Sequence, residues 1–252
     1  MSSMLEAVGL NKRFGAVVAA ADINIRIGRG ERVSLIGSNG AGKTTFVNLV
    51  TGYLKPDTGT ITLDGVDITP LHPRAITQIG VARSFQMPQL FGQLSVMDNM
   101  LVANACHDRR LSFWQPAQRR EARERAEGLL ERFRLAEHSQ RRVSELPGGV
   151  RKLLDIAMAL TTAPKLLLLD EPTSGVSADE KFPMMETIMA ALGEARETTV
   201  LFVEHDMDIV ARYAERVIAF YSGRIIADDL PAVALATDDV RRYVTGELQQ
   251  EA

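Results

Sequence analysis

The run Gly37-Ser38-Asn39-Gly40-Ala41-Gly42-Lys43-Thr44-Thr45 constrains this chain more than any other stretch. It fits G-x-x-x-x-G-K-[ST], a pattern whose meaning depends on a strand before it and a helix after it. Both are predicted here. Arg32-Val33-Ser34-Leu35-Ile36 reads as a short buried strand, and Thr45 to Val50 as a helix carrying Phe46, Leu49 and Val50, with Gly52 placed to cap its end. Glycines accept backbone angles that a side chain forbids, so successive N–H groups can turn inward around a phosphate. The helix N-terminus adds about half a positive charge at the same point. Lys43 offers a mobile full charge to the outer phosphates, and the Thr44 hydroxyl is placed to ligate magnesium.

Bulk properties narrow the setting. A chain of 252 residues suits one large domain or a domain with a subdomain, and 46% apolar residues supply a core. The net charge of −3 argues against a chain built to coat nucleic acid. The single cysteine, Cys106, fits a reducing compartment and reads as a small buried hydrophobe. No apolar run approaches the roughly 18 residues of a membrane-spanning helix. The start, Met1-Ser2-Ser3-Met4-Leu5-Glu6, is expected to carry no signal peptide. Any link to a membrane is therefore expected to come through a partner.

Residues 5 to 70 alternate strand signals with turns. Ala20 to Ile27 alternates apolar and polar residues, and Asp64-Gly65 between Thr60–Leu63 and Val66–Ile68 is a hairpin signal, so an antiparallel sheet is predicted. Phe14 could offer a ring face to adenine or could be a core residue. Ile79 to Phe85 reads as a strand ending at Gln86. From there the pattern turns helical, with Ala122, Ala126, Leu129, Leu130 and Phe133 at helical spacing within Gln118–Glu137, and a second stripe of Leu153, Ile156, Ala157 and Leu160. Residues 87–163 are therefore predicted to be a helical subdomain inserted into an α/β core. The core resumes with Leu166–Leu169 closed by Asp170-Glu171, a helix carrying Phe182 to Leu192, and Thr199–Val203 delivering Glu204-His205-Asp206. Ser222-Gly223 joins a closing hairpin, and Thr237 to Gly246 reads as a short capped helix.

The phosphate loop, Gln86, Asp170-Glu171 and His205 each sit at the end of a strand-like run, so a parallel sheet would gather them on one edge. Hydrolysis of a triphosphate needs a cradle, a metal and a group that deprotonates or orients water. Thr44 and Asp170 can hold magnesium, Glu171 can act as general base, Gln86 can reach the metal or the water, and His205 can contact the γ-phosphate.

These residues together resemble the ATP-binding subunits of ABC transporters. The resemblance spans about Leu5 to Gly246 and takes in the phosphate loop, Gln86, the signature region Leu146 to Val150, Leu166-Leu167-Leu168-Leu169-Asp170-Glu171-Pro172 and His205. Lys12-Arg13-Phe14-Gly15, Arg83-Ser84-Phe85-Gln86, Val203-Glu204-His205-Asp206-Met207 and Tyr243-Val244-Thr245-Gly246 are similar to the bacterial branched-chain amino-acid transporter subgroup. The resemblance implies a P-loop core with an antiparallel β-subdomain and a helical subdomain (about 87–163), a tail (about 231–252), and one ABC-type domain over 1–252. It implies ATP and Mg2+ as ligands, with Phe14 stacking on adenine. It implies a second ATPase subunit, identical or homologous, whose nucleotide would face Gly148 and Gly149 of this chain. Transmembrane permease subunits would dock near Met87, Pro88, Leu90 and Phe91 at the cytoplasmic face of the inner membrane, with a substrate-binding protein as indirect partner and no nucleic acid. The expected function is ATP-driven import of branched-chain amino acids or similar small polar solutes. Alternatives are an export or lipid-extraction complex and a soluble ABC ATPase; a small-molecule kinase would not explain Glu171 together with His205.

One departure stands out. The family signature is Leu-Ser-Gly-Gly-Gln, and here it is Leu146-Pro147-Gly148-Gly149-Val150. The serine hydroxyl is absent and proline has no N–H to replace it, although Pro147 would suit the first turn of the following helix. Ser177 stands where many members carry an aspartate.

Overall fold

In the computed structural model, which describes residues 3–84, 87–107, 116–193 and 198–246, two sheets share the chain. Strands β1 (Ser3–Phe14) and β2 (Val17–Gly28) pair antiparallel, and the chain then enters the second sheet through β3 (Arg32–Gly37) before helix α1 (Lys43–Val50). It returns through β4 (Thr58–Leu63) and β5 (Val66–Asp67), giving a four-stranded antiparallel sheet in the order β2-β1-β4-β5. Asp64 and Gly65 both take positive φ, 52° and 79°, as a two-residue hairpin turn of this twist requires.

Helix α2 (Pro73–Ile79) then leads into β6 (Val81–Ser84). This differs from the strand expected over Ile79–Phe85. Pro73 at the first helical position starts a helix, and Gly80 at φ +117° ends it, so Ile79 belongs to the helix. With only Ile76 buried, α2 has no apolar stripe for a sequence pattern to reveal. Helices α3 (Val96–His107), α4 (Pro116–Arg132) and α5 (Gly148–Leu160) follow. Helix α4 ends sooner than the predicted Glu137, and Arg134 takes φ +58° just beyond it. The predicted stripe of Ala122, Ala126, Leu129, Leu130 and Phe133 is buried. The side chain of Cys106 lies outside the described residues.

The remaining core elements are β7 (Leu166–Asp170), α6 (Ala178–Leu192), β8 (Thr199–Val203), α7 (Met207–Tyr213), β9 (Arg216–Tyr221) and β10 (Arg224–Asp229). They complete a six-stranded sheet in the order β10-β9-β3-β8-β7-β6, parallel except for its β9–β10 hairpin. Both faces are covered, which is why its strands read as unbroken apolar runs. Leu166, Leu168, Leu201 and Val203 pack with Phe46, Ile23, Leu10 and Phe220 toward α1 and the antiparallel sheet. Leu167, Leu169, Val200 and Phe202 face Met100, Phe133, Leu154 and Ile188 of the helical layer.

The chain ends in two short helices, α8 (Pro231–Ala234) and α9 (Asp238–Val240), and a wider turn over Arg241–Thr245 closed by Gly246 at φ +74°. The cap expected at Thr237 takes another form: its hydroxyl donates back to the Ala234 carbonyl at 2.9 Å. No described helix is long and apolar enough to cross a membrane.

Candidate active site

The phosphate loop occupies Gly37 to Thr45 between β3 and α1, as the spacing predicts. Gly37, Gly40 and Gly42 take φ of 151°, 78° and 112°. Two of them are also fixed by their neighbours. A Cβ on Gly37 would lie 2.4 Å from the Phe220 carbonyl oxygen, and one on Gly42 would lie 2.6 Å from that of Ala19. The turn at Ser222-Gly223 braces the loop, with the Gly223 N–H donating to Ala41 O at 2.9 Å and the Ala21 N–H to Gly223 O at 2.8 Å. The Lys43 ammonium is buried and donates to the carbonyls of Gly37 at 2.6 Å and Ser38 at 3.0 Å. Burial lowers its pKa, opposed by the nearby carboxylates of Glu171 and Asp170. The hydroxyl-bearing Thr44 is exposed.

Parallel pairing of β7 with β8, and of β8 with β3, brings their carboxyl ends alongside this loop. Asp170 ends β7 and accepts a hydrogen bond from the Arg83 guanidinium at 2.6 Å, while Arg83 also donates to Asn48 of α1 at 2.7 Å. Glu171, the next residue, sits at φ +49°, and its Oε1 lies 3.0 Å from Nε2 of His205. With Glu171 as a carboxylate, the ring nitrogen is the donor. Glu171 and His205 open on a cleft of about 580 Å³ whose walls include Thr173, Gly175, Lys181 and Asp206. Three of the four predicted strand-end sites thus meet on one edge. Gln86 lies outside the described residues.

Phe14 is 49% exposed at the end of β1, which excludes the core alternative and leaves a ring face open; Lys12 holds its ammonium 5.7 Å from the ring centre. Gly148 and Gly149 are the first residues of α5, and a Cβ on either would meet nothing within 4 Å. Pro147 stands one position earlier than the first-turn placement expected from its sequence. It is the N-cap, at φ −55° and ψ 156°, and its carbonyl accepts from the Arg151 N–H at 3.1 Å. Ser177 caps α6 by position, its hydroxyl donating to Glu180 at 2.7 Å.

Three residues with no role assigned from the sequence also touch this site. Arg83 holds Asp170. Glu204, only 3% exposed, accepts from both the N–H and the hydroxyl of Thr173, at 3.0 and 2.7 Å, and through its other oxygen from the His205 N–H at 3.2 Å. Lys152 donates to the Glu171 carbonyl at 2.7 Å. Each is a charged side chain beside an apolar run, which is the one signal that could have singled it out. Among the described residues no cluster of three or more His, Cys, Asp or Glu could cage a metal, so an ion here would depend on substrate phosphates and a few protein oxygens.

A glycine-rich loop opening a helix at the centre of a parallel sheet, with acid and histidine side chains at the neighbouring strand ends, defines a P-loop ATPase. A family model described as ABC transporter matches residues 20–174, and the chain belongs to that family of ATP-binding, ATP-hydrolysing cassettes. It is 39% identical over 255 residues to the high-affinity branched-chain amino acid transport ATP-binding protein LivG of Salmonella typhimurium, covering 98% of this chain and 100% of that one. The ADP conformation of MJ1267, an ATP-binding cassette of an ABC transporter, superposes with a TM-score of 0.84 at 30% identity, covering 96% and 98% of the two chains. A dimeric post-hydrolysis cassette, MJ0796 bound to ADP and Pi, gives 0.78 at 25% identity, covering 90% and 99%.

Proposed function

We propose that this chain powers uptake of branched-chain amino acids or similar small polar solutes from the cytoplasmic face of the inner membrane. The observation that carries the catalytic part is the 3.0 Å contact between Glu171 and His205 at the sheet edge that also holds Lys43. Likeness to LivG along nearly the whole of both chains supports the solute class. Residues 1–252 then act as one cassette, with a helical subdomain at about 87–163 and a tail at about 231–252.

Phe14 would stack on the base, and Gly37 to Thr45 would wrap the phosphates. To do so, Lys43 would exchange its two carbonyl partners for phosphate oxygens. The donors available to Mg2+ are the Thr44 hydroxyl and the Asp170 carboxylate, with Gln86 as a further oxygen. Hard oxygen donors in this number fit that ion, which would neutralise charge on the phosphates. Glu171 takes the proton of the attacking water as its oxygen bonds to the γ-phosphorus; the bond to the bridging oxygen breaks, leaving ADP and phosphate. His205 is exposed enough to turn from Glu171 toward the γ-phosphate. Gly148 and Gly149 would offer their N–H groups to the nucleotide of a second ATPase subunit; that the similar MJ0796 cassette is dimeric supports the pairing of two subunits. Met87 and Phe91, exposed by 75% and 53%, would meet the permease, and through it a substrate-binding protein.

Purification from membranes followed by identification of bound chains tests the transporter reading. Permease subunits and a second cassette are the expected partners, and a set of soluble partners alone would overturn it. In that complex Glu171→Gln is expected to cost about 100- to 10,000-fold in ATP hydrolysis while ATP binding persists.

A further inference from the structure

Glu171 holds a backbone conformation, φ +49°, that residues with a Cβ rarely adopt. Something must keep it there, because the carboxylate direction depends on it. Its N–H donates to the Val203 carbonyl at 3.0 Å, which ties it to β8. Its carbonyl accepts from the Ser174 N–H at 3.1 Å, a contact within its own turn, and from Lys152 Nζ at 2.7 Å. Lys152 is therefore a side chain that grips this peptide from another element. It stands on α5 one helical turn beyond Gly148 and Gly149, beside a small recess lined with Ser84, Asp155, Ile156, Asp170 and Pro172. It is half-buried; burial lowers its pKa, opposed by the carboxylates of Glu204, Glu171, Asp155 and Asp170, and the 2.7 Å hydrogen bond to the Glu171 carbonyl places its ammonium.

We propose that Lys152 is a positioning residue that fixes the peptide of Glu171 in its left-handed conformation, and so aims the base from the signature helix. The proposal rests on the reading of Glu171 as the general base. Its role is exerted through the Glu171 carbonyl. Since the same helix would present Gly148 and Gly149 to the opposite nucleotide, a shift of α5 on engaging that nucleotide would reach Glu171 through Lys152.

The test uses the assembled transporter complex with Lys152→Met, Lys152→Arg and Glu171→Gln variants, measuring kcat, KM and ATP affinity. Lys152→Met is expected to lower kcat by about 10- to 100-fold, as a misaimed catalytic group does, with ATP affinity held within about twofold. Lys152→Arg, which keeps a charged donor, is expected to recover most of that loss. Lys152→Met with normal kcat beside an inactive Glu171→Gln would overturn the positioning role alone. A loss in Lys152→Met that Lys152→Arg shares in full, or that falls on ATP affinity and not on kcat, would also overturn it. Glu171→Gln with normal activity would instead remove the underlying reading of the base. If Lys152→Met does not assemble, Lys152→Gln, neutral but still a donor, takes its place with the same expected kcat loss in weaker degree, and normal turnover in it counts against the proposal.

Discussion

Arg83 grips Asp170 at 2.6 Å from the neighbouring strand, with both side chains nearly out of contact with water. The ion pair stands where Asp170 would also meet a metal. Removing one partner of a buried pair leaves the other charge uncompensated, at a cost of about 3–5 kcal/mol. Arg83→Met is therefore expected to lower the melting temperature sharply without nucleotide. On the proposed reading Mg-ATP would supply a new positive partner for Asp170, so the gap between variant and parent should narrow when it is added. Thermal melts with and without Mg-ATP check this, and a gap unchanged by Mg-ATP would mean that Asp170 does not serve the metal.

The glycines of the phosphate loop are not equivalent. Gly37→Ala places a Cβ 2.4 Å from backbone at Phe220, whereas Gly40→Ala meets nothing within 4 Å and bears only the cost of its φ, about 1–2 kcal/mol. Gly37→Ala is expected to abolish nucleotide binding or folding, and Gly40→Ala to leave a folded protein with weakened binding. Calorimetric ATP titration on the purified variants distinguishes them.

Asp206 links α7 to α6. Its carboxyl is held below the ordinary carboxylate range, first by the Lys181 ammonium and then by the N–H groups of Ile209 and Asp208, while burial opposes the shift. A folded-state pKa below the unfolded one means that the native state binds fewer protons there. The stabilisation is fully present above the unfolded value of 3.8 and is lost as pH falls through the lower folded value. Lys181, whose pKa is raised mainly by Asp206, loses its share only as pH climbs through its folded value, above the ordinary 10.5. Lys181→Met should therefore be less stable than the parent at neutral pH, by under about 1 kcal/mol for so exposed a pair, and the difference should vanish in acid. Urea unfolding between about pH 6 and pH 3 measures it.

If the proposed pairing is a heterodimer, Pro147 would make its two sites unequal. This chain's own loop, base and histidine would serve one site, while the opposite site would receive α5 without a signature hydroxyl. A hydrogen bond to a charged group contributes about 1.5–3 kcal/mol, or roughly 10- to 100-fold in rate. Glu171→Gln here is expected to remove more ATPase activity than the corresponding change in the partner, and equal losses would refute the asymmetry. In a homodimer Pro147→Ser should raise turnover.

The sequence was informative wherever a residue type is required by backbone geometry or by a long apolar run. Gly37 to Thr45, Asp64-Gly65 and Ser222-Gly223 were legible because few residues accept those turns. The inner strands were legible because both of their faces are buried. Helix α2 was not, since one buried residue makes no pattern. Arg83, Lys152 and Glu204 were not, because their partners lie 87, 19 and 31 positions away and only the folded chain joins them. The placement of Pro147 at the cap was missed for a local reason: proline suits either position, and the backbone angles decide.

Strand β3 is flanked by β8 and β9, which come from residues 199–221, and the turn at Ser222-Gly223 completes the brace. A chain emerging from the ribosome therefore carries the whole phosphate-loop sequence long before it owns a phosphate loop. Contacts of such sequence separation form late and slowly. A truncated product ending before Thr199 has the glycines and the lysine but lacks both strands that flank β3 and the turn that braces the loop, so broken copies of that length are expected to be poor at sequestering ATP.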